Sequence, residues 1–519
     1  MPEKQRIIET KVPLSRSKLW QFQRDYFDKQ GIEAWSHQVP FYVTSNPYIA
    51  KCYARLVMSL ARDWLAQHPE SSHEPFYILE LGTGSGRFSY YVLKQLTELQ
   101  AELNLTRLKF RYVMTDFTLN NLKFWQEQPQ LRSFIRSGVL DFALYNLEDE
   151  QPISLINSKV SLNSSTIKNP LAIFANYIFD TVTNDCFYAH DGKLQQCVIS
   201  LSAAESQFEN EQLKNLEALQ VTHEVVDLPK NFYEDPIFYE LLQSYKTKFK
   251  DTHFLIPSGG LKALRYLMKL ANGRTLLISS DKGYSNLKEL DHNPFPAITF
   301  HGSFSMMVNF HALAEYYKLC NGSAVIQSPR QGIRSMLGLS ELSLADLPNM
   351  RLAIHDYIQG FSAADYFNLH RRISDSFKEC SAAVLASHLQ LSAWDPQIFQ
   401  KIARRINELL PDAEPNTVDY LAENMHKIAE NFYFMPKAYD TLFDIGYFYH
   451  AIHDYPEAIK YYHQSEKYFG DSFNILYNLG LCYYYNKQSA EALDYFYRAQ
   501  EKNPEDVKVK EWIEFVKKG

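Results

Sequence analysis

A chain of 519 residues, 46% hydrophobic and 22% charged, has apolar material for two or three domain cores and is too hydrophobic for wholesale disorder. Its 53 Lys and Arg against 60 Asp and Glu leave a net charge of −7, which argues against non-specific nucleic-acid binding, a property of basic surfaces. Glycine is scarce, with 19 residues, and tyrosine abundant, with 35, so any glycine cluster carries information.

The start, Met1-Pro2-Glu3-Lys4-Gln5-Arg6, leads into no apolar signal-peptide core. No run of about 18 apolar residues suggests a membrane span. Cys52, Cys186, Cys197, Cys320, Cys380 and Cys482 have neither zinc-ligand nor disulfide-framework spacing. The expectation is a cytoplasmic protein with reduced, mostly buried thiols, no metal and no membrane segment. A homodimer is left open.

Residues 1–75 begin polar and then show helical periodicity from Tyr48 to Trp64, an N-terminal helical segment expected to pack on the next domain. From Phe76 to about Ile199, short apolar runs alternate with amphipathic stretches. The runs are Tyr77-Ile78-Leu79, Phe110 to Met114, Val139-Leu140 and Leu171 to Ala175. That alternation predicts an α/β domain over 76–345, a Rossmann-like, mostly parallel sheet with helices on both faces. Residues 203–260 read as a polar helical insertion or lid. Arg274–Ser280 and Pro296–Phe310 read as further strands. Ser258-Gly259-Gly260 and Asp281-Lys282-Gly283 read as turns. A helical linker is expected over 346–395.

Residues 396–519 read as helices only. Gly446 and Gly480 are 34 residues apart, and Ala458/Ala492, Leu442/Leu476, Ile445/Leu479 and Tyr449/Tyr483 keep that offset. This resembles the tetratricopeptide repeat, a helix-turn-helix unit, with copies at 439–472 and 473–506. A degenerate copy is expected within 398–432 and a capping helix after Glu505, since two copies alone rarely stand free. Thirteen tyrosines fall between Tyr439 and Tyr497, which makes much of the tyrosine excess a property of this all-α domain. Its expected role is to bind a protein partner.

The most informative segment is Ile78-Leu79-Glu80-Leu81-Gly82-Thr83-Gly84-Ser85-Gly86-Arg87-Phe88. Three of the few glycines follow a strand and precede a helix. No Gly-Lys-Ser/Thr follows, so it is not a P-loop, and the spacing differs from the dinucleotide fingerprint. Acidic residues mark the next two strands, at Asp116 and Asp141.

On these residues the chain resembles class I S-adenosylmethionine-dependent methyltransferases. The resemblance implies S-adenosyl-L-methionine as cofactor. It implies Gly82, Thr83, Gly84 and Gly86 as the loop that approaches the ligand's amino-acid part, with Glu80 organising it. It implies Asp116 on the ribose hydroxyls and Asp141 with Phe142 at the adenine. Four further segments, in order, are similar to the MidA-like family, which includes a protein-arginine methyltransferase of mitochondrial complex I assembly. They are Thr44-Ser45-Asn46-Pro47, Phe174-Ala175-Asn176-Tyr177-Ile178-Phe179-Asp180, Gly273 to Ile278, and Gly302 to Phe310. Tyr177 stands where that family has Glu, and Ser303 and Ser305 where it has Asp and Thr. The resemblance implies substrate-side roles for Asn176, Tyr177 and Asp180, with Asn176 also facing the cofactor.

His301 and His311, ten residues apart without a third ligand, read as structural. His355-Asp356 and His370-Arg371-Arg372 read as solvated helix positions. No Gly-x-Ser-x-Gly elbow supports hydrolase chemistry. Two functions fit: a methyltransferase, possible on a protein substrate, whose repeats recruit a partner, and a catalytically silent methyltransferase fold acting as a scaffold.

Overall fold

The computed structural model describes residues 3–34, 42, 44–105, 107–209, 212–329 and 332–518. The chain divides into two compact units, Met1–Phe367 and Asn368–Gly519. In the first, the main strands are β1 (Gln5–Pro13), β2 (Phe76–Glu80), β3 (Phe110–Asp116), β4 (Leu140–Leu144), β5 (Leu171–Phe174), β6 (Asp185–His190), β7 (Lys193–Ala204), β8 (Gln220–Asp227), β9 (Asp251–Ile256), β10 (Thr275–Tyr284), β11 (Ser323–Ile326) and β12 (Ile333–Ser340). Its main helices are α1 (Leu19–Gln30), α2 (Pro47–Gln67), α3 (Arg87–Glu102), α4 (Leu119–Glu127), α5 (Pro236–Tyr245) and α6 (Ser258–Leu270).

The apolar runs form the central sheet, in the order β11-β12-β10-β5-β2-β3-β4. Strands β10, β5, β2, β3 and β4 are parallel, and β12 runs antiparallel to both its neighbours. The sheet is therefore mixed: five parallel strands, as a mostly parallel sheet requires, with an antiparallel pair of strands at one edge that the Rossmann-like expectation did not include. Every residue of β2 and β5 is buried, as strands covered on both faces require. Leu79, Val113, Ile173 and Leu277, one from each of four neighbouring strands, belong to a single core. The strand order reverses between β2 and β5. In an open α/β sheet that switch point opens a crevice at the carboxyl ends of the strands.

A second, antiparallel sheet corrects the reading of residues 1–75 and 203–260. Strand β7 pairs with β6, β1 and β8, and β6 pairs with β9. Among its described residues the insertion holds strands, the helix α5 and the start of α6, rather than helices throughout. Strand β8 has no fully buried residue, so its hydrophobic alternation is too faint to register. Strand β1 is equally half-exposed. Cys186 and Cys197 are buried in the core of this sheet, and all six cysteines are free.

Two predicted turns are regular structure. Ser258-Gly259-Gly260 begins α6, and the two glycines are there for close approach. A Cβ on Gly260 would stand 2.5 Å from the Phe179 ring, and one on Gly259 2.5 Å from Glu148 Oε1. Asp281-Lys282-Gly283 continues β10 to Tyr284: Asp281 and Lys282 pair with Arg334 and Ile333 of β12, and Gly283 and Tyr284 with Val308 and Asn309. The Thr-Ser-Asn-Pro segment opens α2: Asn46 Oδ1 accepts from Ile49 N at 3.0 Å, and Pro47 fills the first helical position.

The second unit is helical: α7 (Ala382–Leu391), α8 (Pro396–Leu409), α9 (Pro415–Glu430), α10 (Thr441–Ala451), α11 (Tyr455–Phe469), α12 (Phe473–Tyr485), α13 (Ser489–Lys502) and α14 (Val507–Lys517). The two 34-residue copies pack alike. Gly446 of α10 lies against the Tyr462 ring of α11, and Gly480 of α12 against the Phe496 ring of α13. His370 is not a solvated position. It is buried, with Nδ1 3.1 Å from Nε2 of His388 in α7, and burial lowers both imidazoles to about 4. His355 is exposed.

A Cβ at Gly480 would stand 2.6 Å from the Phe496 ring. Gly480→Val is expected to destabilise the helical unit by about 1–3 kcal/mol through overpacking. A lowered denaturation midpoint for that unit, with the first unit's unchanged, checks this.

Candidate functional site

The crevice at the switch point holds a cavity of about 270 Å³. Its walls come from the loop after β2 (Glu80–Thr83), the end of β3 (Asp116, Phe117), the segment after β4 (Asn146–Glu148), the turn after β5 (Asn176–Thr181) and the end of β10 (Asp281, Lys282). Gln23 and Arg24 of α1, Thr44, Ser45, His301, Ser303 and Ser305 also line it.

The glycine loop can make its turn because Gly82, Gly84 and Gly86 all have positive φ, at 58°, 63° and 80°. At Gly82 space is also short: a Cβ there would lie 2.6 Å from Ile178 Cδ1 across the switch point. Thr83 is stitched to β3, its N–H donating to Thr115 O at 2.8 Å and its Oγ1 accepting from Thr115 N at 3.2 Å. Asp116 closes the arrangement. Its Oδ2 accepts from Gly84 N at 3.2 Å and Asn121 Nδ2 at 2.9 Å. Its Oδ1 accepts from Thr118 N and Thr118 Oγ1, both at 3.0 Å. Burial raises its carboxyl above the ordinary value against those hydrogen bonds.

Glu80 is buried and accepts from Ser89 Oγ of α3 and from Tyr112 OH of β3, the latter at 2.9 Å. Burial pushes its carboxyl up to about 7, outweighing these donors. Gly84 and Gly86 stand behind the cavity wall: Gly84 O accepts from Trp125 Nε1 at 2.9 Å, and Gly86 precedes α3.

Asp141 and Phe142 are not in the cavity wall, a correction to their expected place at an adenine. Asp141 pairs with Val113, three residues short of the level of Asp116. Its oxygens accept from the N–H groups of Phe142, Asn157 and Ser158 at 2.8, 2.8 and 2.9 Å. The Phe142 ring is fully buried, 5.9 Å from that of Trp125. The exposed aromatic at this end of the sheet is Phe117, with Leu147 also in the wall.

Across the switch point, Asn176 Oδ1 accepts from Tyr53 OH at 2.6 Å and Ser280 N at 3.0 Å. With that oxygen engaged, its amide nitrogen is the end left for a ligand. Tyr177 has φ of 52°, a strained backbone for a bulky residue, and its buried hydroxyl has no hydrogen-bond partner. Asp180 touches Asp281, which sequence reading took for a turn residue. The missed signal was an acid at the carboxyl end of a strand adjoining β5. Arg24 and Glu148 form an ion pair of 2.9 Å in the wall. His301 Nε2 lies 3.2 Å from Ser305 Oγ, while His311 is remote from the cavity and contacts Tyr245 OH at 2.8 Å.

Among the described residues there is no cluster of three or more His, Cys, Asp or Glu placed to hold a metal ion, and no helix long and apolar enough to cross a membrane.

Residues 473–506 match the family model of the tetratricopeptide repeat. No curated protein matches the chain. Among solved structures there is similarity to a COG1565 superfamily member from Burkholderia thailandensis, a candidate methyl transferase bound to S-adenosyl-homocysteine. The identity is 11% and the TM-score 0.42, over 78% of this chain and 85% of that one. An uncharacterized protein of that superfamily from the same organism is 11% identical with a TM-score of 0.33, over 62% of this chain and 82% of that one.

Glu80 generates a pH prediction. A carboxyl raised from 4.5 to about 7 by folding favours the native state fully below 4.5, and that contribution is lost as pH rises through 7. The thermal midpoint of the first unit is expected to fall between pH 5 and about 8, and Glu80→Gln to flatten the fall. A midpoint equally pH-dependent in the variant would place the titration elsewhere.

Proposed function

We propose that the first unit is an S-adenosylmethionine-dependent methyltransferase of class I, similar to the MidA-like family, and that the tetratricopeptide repeats of the second bind a protein partner. One observation carries the reading. A three-glycine loop of left-handed backbone is pinned by Asp116 at the switch point, where it faces an amide and two carboxyl groups across a cavity.

The residues present fit that cofactor. Gly82 and Thr83 bring backbone to the cavity, Glu80 fixes the loop to β3 and α3, and Asp116 offers a carboxylate to the ribose hydroxyls. Phe117 and Leu147 take the adenine place first given to Asp141 and Phe142. Asn176 presents its amide nitrogen to the ligand. Tyr177 and Asp180 face the methyl acceptor. S-adenosylmethionine supplies a methyl group on a positively charged sulfur that is already a good leaving group. The chain therefore has to align the acceptor and exclude water.

A silent scaffold is the second reading, and one feature favours it. All four acceptor positions on Asp116 are taken by protein donors, so ribose binding has to displace one, Thr118 Oγ1 or Asn121 Nδ2.

Calorimetry with S-adenosyl-homocysteine separates the two. Binding is expected, with Asp116→Ala weakening it at least tenfold while Asp141→Asn changes it little. No heat in the unaltered chain would remove the enzyme reading. With binding in hand, methyl-labelled S-adenosylmethionine in a lysate is expected to label a discrete acceptor, and more weakly when residues 473–506 are deleted. Equal labelling would separate the repeats from acceptor choice.

A further inference from the structure

Two buried carboxyl groups meet in the cavity wall. Asp180 lies in the turn after β5 and Asp281 near the end of β10. The two segments are held together by Ala175 N donating to Ile278 O at 3.0 Å and Tyr177 N to Ser280 O at 3.3 Å. Asp180 is 5% exposed and Asp281 1%. Asp281 Oδ1 accepts from Lys282 N at 2.7 Å, whereas Asp180 Oδ1 and Asp281 Oδ2 receive no hydrogen bond. An unpaired acceptor in a buried wall costs free energy unless a proton or ligand satisfies it.

We propose that Asp180 and Asp281 share one proton across their contact, and that this pair takes up the proton released by the methyl acceptor. The inference rests on the methyltransferase reading and adds Asp281 to its site. Two carboxylates in contact, away from water, cannot both be ionised. Burial raises both groups above the ordinary carboxylate range, and the Asp180 charge raises Asp281 further. The groups facing the pair are the Lys282 ammonium, which is exposed and only partly offsets the charge, and the phenols of Tyr177 and Tyr53. With one group ionised, the pair carries one proton and one vacant acceptor.

The acceptor atom uses its lone pair for the new bond to the methyl carbon as the methyl–sulfur bond breaks and its electron pair stays on the departing thioether, and it gives up its proton to the vacant oxygen of the pair. The pair becomes neutral and returns that proton to water. The acceptor atom must therefore carry a hydrogen.

The test compares infrared spectra of the unaltered chain with Asp281→Asn and Asp180→Asn near pH 7, alongside calorimetry with S-adenosyl-homocysteine. Each variant is expected to lose one carboxylic-acid band, to keep ligand binding within a few-fold, and to lose about 100-fold or more of labelled methyl transfer. If Asp281→Asn does not fold, Asp180→Asn reads the same band. Retention of the acid band in either folded variant overturns the proposal, as does undiminished transfer. Absence of ligand binding in the unaltered chain instead sinks the methyltransferase reading, while the band still reports the shared proton.

Discussion

The carboxylate of Asp116 is the constraint on which the head of the sheet depends. Three loop glycines with positive φ make a turn that Thr83 and Trp125 tie on one side only. Asp116 holds it, by accepting from Gly84 N on one side and from the first residues around α4 on the other. Glu80 does the same from beneath, through Ser89 and Tyr112. Two buried carboxyl groups thus set the shape of one side of the crevice. That is a costly device in an apolar setting, and it is why Glu80 titrates near 7.

The other side is built from chain that folds less locally. Asn176 to Asp180 lies in its turn because β5 pairs with β10, because Tyr53 of α2 orients Asn176, and because Gly259 and Gly260 let α6 approach Thr183 and Phe179. Strain at Tyr177 and unpaired oxygens at Tyr177, Asp180 and Asp281 all fall on this side. The rigid loop suits holding a ligand; the unsatisfied wall suits meeting a reacting partner.

These differences explain what was legible in the sequence. Short apolar runs, a glycine cluster and an acid at the end of β3 are local signals, and they located β2, β3, β5 and one wall of the site. The 34-residue offset was equally local, and residues 473–506 match the repeat model. Asp141 misled because an acid after an apolar run looks the same whether it ends the strand or lies three residues inside it; only register distinguishes the two. Asp281 was missed because Ser-Ser-Asp-Lys-Gly has turn composition, while its pairing with β12 and, at Gly283, with Val308 keeps it extended. The antiparallel sheet escaped notice because its outer strands β1 and β8 are half-exposed and carry little hydrophobic contrast.

The central claim is that the crevice between the glycine loop and the Asn176–Asp180 turn receives S-adenosylmethionine. Hydrogen exchange with and without S-adenosyl-homocysteine tests it residue by residue. The account predicts slowed exchange at the amides of residues 81–84, 117–118 and 176–181, and no change at Asn157 and Ser158, whose N–H groups already bind Asp141. Protection centred on 157–158, or none at 81–84, would contradict it.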